Sequence, residues 1–210
     1  TAASAMAAPM SDGSIFHETF TNYPEDSKSF TYVDGVTTDT GAAVMQTTVD
    51  TAGLFRAADL RIAAGQPFVL EYDFKVDGAS GDSFYMLYSQ DNNTSPYANG
   101  IRVTVDAADS PATTWSFTVQ DAAGNHTPFT GYNEGQYYHV AVNYTADVNH
   151  DIQLYVDGAL LGTYQDMSPT LNTDLIQFGD SSTGVGYGSA SVDNVSIGKQ
   201  VVPEPASLSL

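Results

Sequence analysis

The sequence contains no cysteine. Disulfide scaffolds, thiol catalysis and zinc–thiolate sites are therefore excluded, and stability must come from a packed core, with or without bound cations. Basic residues are nearly as scarce: 6 Lys and Arg stand against 25 Asp and Glu, for a formal net charge of −19. Phosphate backbones and anionic lipid surfaces would repel such a chain, which argues against nucleic-acid binding. Trp occurs once. No run of 18 apolar residues is present, so no segment of this chain reads as a membrane-spanning helix.

What remains is a chain of 210 residues, 42% of them hydrophobic, enough for one domain with one core. Twenty of the acids are Asp, and Asp with 18 Gly makes a turn-rich, helix-poor composition. Such acidity suits an ion-rich or extracellular medium, where cations screen self-repulsion. From residue 14 onward the pattern is short strands and turns. In the stretch 67–76, Phe68, Leu70, Tyr72, Phe74 and Val76 share one face, while Glu71, Asp73 and Lys75 share the other. Tyr138, Val140, Val142 and Tyr144 form another inward set, and Ile152, Leu154 and Val156 a third. This period of two marks antiparallel sheets with one wet face. Asp157-Gly158 between two such runs signals a tight hairpin. The expectation is an all-β, two-sheet antiparallel sandwich with extended terminal arms.

Three segments are expected. Residues 1–13 are small and apolar and read as an N-terminal arm or signal-peptide remnant. Residues 14–198 carry the sandwich. Residues 199–210 have two prolines around a Glu and read as an extended tail.

Three stretches carry a resemblance. Residues 137–142 (YYHVAV) followed by 152–158 (IQLYVDG) resemble the central hairpin of laminin-G-like domains of the concanavalin A-like group. Residues 191–197 (SVDNVSI) are similar to the final strand of that group, and residues 16–20 (FHETF) to its first strand. The resemblance implies a jelly-roll domain, a fold shared by lectins, glycosidases, adhesion modules and structural proteins. The tail resembles a PEP-CTERM sorting motif through Pro203, Glu204 and Pro205. That resemblance implies export by a Gram-negative-type bacterium to its surface or extracellular matrix.

Glu71-Tyr72-Asp73-Phe74-Lys75 is the sharpest catalytic candidate. Some glycosidases of the resembled fold carry Glu-x-Asp-x-Glu on one strand, with the first Glu as nucleophile and the last as acid/base. Glycoside cleavage needs two such carboxyl groups flanking the bond. Here Lys75 stands in the acid/base place, so the strand reads as a solvated charge ladder and no catalytic residue is expected. His17, His126, His139 and His150 are scattered, and His139 has outward parity. Glu18 shares parity with Phe16 and Phe20, and Asp193 with Val195 and Ile197. Two inward carboxylates on neighbouring first and last strands would be neutralised by a structural Ca²⁺. The resemblance implies the same, since sugar-binding jelly rolls often hold calcium there. Tyr85, Tyr97, Tyr132, Tyr137 and Tyr187 fall in loops or on outward parity and are the candidate sugar-stacking rings. Trp115 shares parity with Phe117 and Val119 and is expected in the core.

The functional expectation is a non-catalytic component of a bacterial surface or matrix, not an enzyme, self-associating into an oligomer or polymer through sheet edges and terminal arms. The alternatives are a glycan-binding adhesion module, with polysaccharide as partner, and a divergent glycosidase or lyase.

Overall fold

The structure, a computed structural model, describes residues 8–20, 30–32, 36–39, 41–47, 54–90, 99–107, 114–149, 151–167, 169–179 and 187–201. Among them there is no helix. The strands are β1 (Met10–Ser11), β2 (Phe16–Glu18), β3 (Phe30–Tyr32), β4 (Val36–Asp39), β5 (Ala42–Thr47), β6 (Leu54–Ile62), β7 (Phe68–Gln90), β8 (Asn99–Ala107) and β9 (Thr114–Asp121). They continue with β10 (Gly124–Asn125), β11 (Phe129–Asn133), β12 (Tyr138–Tyr144), β13 (Asp151–Val156), β14 (Ala159–Gln165), β15 (Thr173–Gly179), β16 (Tyr187–Gly198) and β17 (Gln200–Val201).

Two antiparallel layers share one long strand. The first half of β7 lies between β16 and β12, in a layer that continues through β13 to β14 on one side and to β5, β4 and β2 on the other. The second half of β7 lies between β15 and β8, in a layer that runs to β6 and β3 on one side and to β9, β10 and β11 on the other. The stretch at 67–76 is thus the first part of one continuous strand that passes from one sheet to the other.

The alternating residues meet between the layers. Leu70, Tyr72, Phe74 and Val76 of β7 are fully buried, with Val140 of β12, Leu154 of β13, and Val192, Val195 and Ile197 of β16. The second layer answers with Ile101, Val103, Val119, Ile176 and Phe178. Each such side chain contributes about 1.5–3 kcal/mol by leaving water. Trp115 closes one side of the core, 2% exposed, with its Nε1–H donated to Asn133 O at 3.1 Å. The Asp157-Gly158 hairpin forms as expected, with φ of 47° and 78° at the two turn residues, the left-handed values a two-residue turn requires.

The described parts of the two arms are paired. Met10 and Ser11 pair with Val201 and Gln200, so the described parts of the N-terminal arm and the tail bond to each other within the chain. The expectation that the arms add to neighbouring molecules loses these backbone groups, which are already engaged.

Candidate functional site

The outer face of the first layer is where the charged residues of β7 meet other strands. Register places His139 of β12 and Asp193 of β16 on either side of Asp73. One pleat away, Ala141 and Ser196 flank Glu71. Residues directly opposite in an antiparallel pair point to the same side. His139 therefore leans over both carboxylates of β7. Its Nδ1 stands 2.9 Å from Asp73 Oδ1 and its Nε2 3.3 Å from Glu71 Oε1.

The backbone of His139 is held from behind. Its N–H donates to Asp157 Oδ1 at 2.9 Å, and Asp157 N–H returns a bond to His139 O at 2.8 Å. The hairpin turn thus fixes the strand position from which the imidazole projects. Asp73 is fixed on its other side by Asn194, whose Nδ2–H donates to Oδ2 at 2.7 Å.

Two carboxylates around one imidazole set its charge. The hydrogen bonds to Asp73 and then Glu71 outweigh partial burial and push the His139 pKa from 6.5 up to about 10. The ring is an imidazolium at neutral pH. Partial burial works against ionisation of Asp73, but the bonds from His139 and Asn194 prevail and hold its pKa below the usual carboxylate value. Glu71 is only 8% exposed although it faces outward. Its second oxygen, Oε2, accepts from Ser11 N–H at 2.6 Å.

Asn194 reaches Asp73 because β16 bulges. Its register with β7 steps from Asp193 opposite Asp73 to Ser196 opposite Glu71, one residue more than β7 uses. Asn194 takes φ of 50° to accommodate it. The bulge corrects the parity argument for calcium. Val192 and Val195 both point inward, so Asp193 points outward beside Asp73 and does not share a face with Val195. Glu18 does point inward and is fully buried, and its Oε1 accepts Phe20 N–H at 2.8 Å. The two residues lie on opposite faces of the sheet. Among the described residues, no group of three or more His, Asp or Glu is arranged to hold a metal.

Lys75 turns away from Asp73. Its Nζ pairs with Asp77 Oδ2 at 2.7 Å and lies 5.3 Å from the Tyr137 ring centre. The expected ladder of Glu71, Asp73 and Lys75 is thus closed by His139 in place of Lys75. Of the candidate sugar-stacking rings, Tyr137 is 43% exposed on this same outer face. Tyr132 stacks on Trp115 at 4.9 Å between ring centres and belongs to the edge of the core. Tyr85 and Tyr187 lie in strands β7 and β16. Tyr97 and the motif at Pro203, Glu204 and Pro205 lie outside the described residues.

The profile of the concanavalin A-like lectin/glucanases superfamily, in its laminin-G-like form, matches residues 55–204. The chain belongs to this superfamily. No curated protein matches the sequence. A sialidase superposes with a TM-score of 0.61 at 14% identity, over 92% of this chain and 19% of its own. The β-glucanase of Bacillus licheniformis gives 0.60 at 17% identity, over 88% of this chain and 97% of its own. The carbohydrate recognition domain of Emp47p gives 0.59 at 12% identity, over 92% of this chain and 98% of its own. This superfamily member thus spans about a fifth of the sialidase chain and nearly all of the other two.

The expectation that the chain is not an enzyme is corrected here. Several structures sharing the fold are named as enzymes: the sialidase, the β-glucanase, a polysaccharide lyase and an alginate lyase. Lys75 fills the third place of the strand motif, and a neighbouring strand brings His139 to the two carboxylates instead. His139 was visible as an outward residue, and only the register of β12 on β7 puts it over Glu71 and Asp73.

Proposed function

We propose that this domain binds and cleaves a neutral polysaccharide on the outer face of its first sheet, with Glu71, Asp73 and His139 as the acting residues. The observation that carries the reading is the His139 ring bridging the two carboxylates at 2.9 and 3.3 Å. The enzymes and the carbohydrate recognition domain among its structural relatives support the substrate class.

Glycoside cleavage requires a proton for the departing oxygen and negative charge beside the sugar carbon as it becomes cationic. His139 carries the proton, and Glu71 supplies the negative charge. As positive charge builds on the sugar, it competes for Glu71, and the hold of Glu71 on the His139 proton relaxes at the moment the proton is needed. The proton passes to the glycosidic oxygen, the carbon–oxygen bond breaks with its electron pair on that oxygen, and water adds to the sugar carbon, returning a proton to His139. Asp73, fixed by Asn194, keeps the imidazole charged and oriented. Tyr137, two residues from His139 on the same strand face, offers its exposed ring to a neighbouring sugar unit.

Charge selects the polymer. A chain of net charge −19 whose site holds two carboxylates against one imidazolium repels uronates and sulfates. The sorting-type tail supports a place of work outside a bacterial cell, where such polymers are met.

The test is incubation with a panel of β-glucans, xylans and mannans beside alginate and pectate, with chromatography of products from pH 5 to 10. Product is expected from at least one neutral polymer and from neither uronate polymer. Because the His139 pKa is raised to about 10, the rate should hold through neutral pH and fall as pH rises through that value. No product from any neutral polymer overturns the reading.

A further inference from the structure

Residues 8–14 lie outside the span 55–204 that the superfamily profile matches, yet they reach Glu71. The arm runs antiparallel to the end of β16 and to β17. Asp12 N–H donates to Lys199 O at 3.1 Å, Ile15 N–H to Ile197 O at 2.9 Å, and Lys199 N–H to Asp12 Oδ1 at 2.8 Å. Successive amides of a strand point to opposite edges. While Asp12 N–H meets Lys199 just before β17, Ser11 N–H therefore points the other way, and there it donates to Glu71 Oε2 at 2.6 Å.

The close approach depends on Gly198. A Cβ at that position would stand 2.7 Å from Gly13 N and 2.8 Å from Ser14 N, tighter than real contacts allow. The turn of the arm is fixed locally, by Gly13 N–H to Ser11 Oγ at 3.1 Å and Ser14 N–H to Asp12 Oδ1 at 3.0 Å. Beside it lies an open hollow of about 360 Å³ lined by Ser11, Asp12, Gly13, His17 and Ser196. Ser196 is the residue opposite Glu71 in the sheet, so the arm walls one approach to the carboxylate.

A carboxylate that is 8% exposed needs a donor for each oxygen. His139 serves Oε1, and the arm serves Oε2. We infer that Ser11 is a positioning residue of this site: its backbone N–H fixes Oε2 of Glu71, so that Oε1 stays aimed at His139 and the glycan. The inference rests on Glu71 acting as proposed above.

Two measurements separate the two ideas. The first needs no substrate. In amide NMR spectra of the full chain, Ser11 N–H should lie far downfield and resist exchange, and Glu71→Ala should abolish both features. An unmoved, unprotected Ser11 amide overturns the inference whatever the activity. The second compares Ser11→Pro with Ser11→Ala on the polymer that is cleaved. Proline removes the N–H that β17 does not use, and an edge strand tolerates it. Alanine keeps the amide. The kcat of S11P should fall about tenfold to a hundredfold below that of S11A, with KM within about twofold. Equal kcat values for the two variants overturn the inference. If the wild-type chain cleaves no polymer, the proposed function fails, and the amide measurement alone decides whether the arm holds Glu71.

Discussion

Replacing His139 by Gln leaves Glu71 and Asp73 two residues apart on one strand with no cation between them. The wild-type imidazole gains protons far more readily in the fold than in water, its pKa moving from 6.5 to about 10. Taken whole, a shift of that size corresponds to about 5 kcal/mol of linked stability, at about 1.4 kcal/mol per tenfold change in proton affinity. The His139 side chain is 45% exposed, and Asp73 is 28% exposed, so water screens much of this. Since exposed pairs contribute about 0–1 kcal/mol each and Glu71 is nearly buried, about 1–2 kcal/mol should survive. The folded value lies above the ordinary one. The contribution is therefore fully present below pH 6.5 and is lost as pH rises through about 10. Urea unfolding of the wild-type chain and of H139Q at pH 6 and pH 10 measures it. The midpoints should differ by about 0.5–1 M at pH 6, for a slope of about 2 kcal/mol per M, and converge toward pH 10. A difference that does not change with pH, or an imidazole that titrates near 6.5 by NMR, would refute the reasoning.

Three further outcomes follow from other parts of the structure. Asp121, 5% exposed, accepts Ala123 N–H at 2.8 Å and Gln165 N–H at 2.9 Å and lies 2.9 Å from His126 Nε2, so it ties the β9–β10 turn to β14. Asp121→Ala should cost about 2–4 kcal/mol in urea unfolding, because two amides lose their acceptor. Burial opposes ionisation of Asp121, but bonds from Gln165 and His126 hold its pKa below 3.8, so its contribution is present above that pH and is lost as pH falls below it; acid titration of unfolding should show the loss in the wild type and not in the variant. Trp115→Ala removes the ring packed against Phe74, Tyr132 and Tyr138 and should cost about 3–5 kcal/mol, read by circular dichroism during denaturation. Gly198→Ala should displace the N-terminal arm and raise amide exchange at Ser11 and Asp12 by about tenfold or more while the exchange of Val140 and Leu154 in the core stays as it was.

Strand parity carried most of the fold in the sequence. The alternation from Phe68 to Val76 named the inward and outward residues of β7, and the inward five are buried. The Asp157-Gly158 turn followed from two residues that tolerate positive φ. Parity failed at the bulge of β16, because one extra residue reverses the facing of Asp193 and nothing in Asp193-Asn194-Val195 distinguishes a bulge from a straight strand. The site was half legible. Glu71 and Asp73 stood out, and His139 had the right facing, but their meeting depends on which residue of β12 sits beside which residue of β7. That register spans more than sixty residues of chain and is set by packing on both faces. Ser11 left no side-chain signal at all, since what it offers is a backbone amide.

The central claim is that Glu71, held by Ser11 and His139, acts on a glycan. Its most direct measurement is the release of reducing sugar from a neutral polysaccharide by the wild-type chain and by Glu71→Gln. The variant keeps the shape of the side chain and removes its charge. The account predicts steady release by the wild type and a rate lower by about a hundredfold or more in E71Q. Equal rates in the two proteins would contradict it.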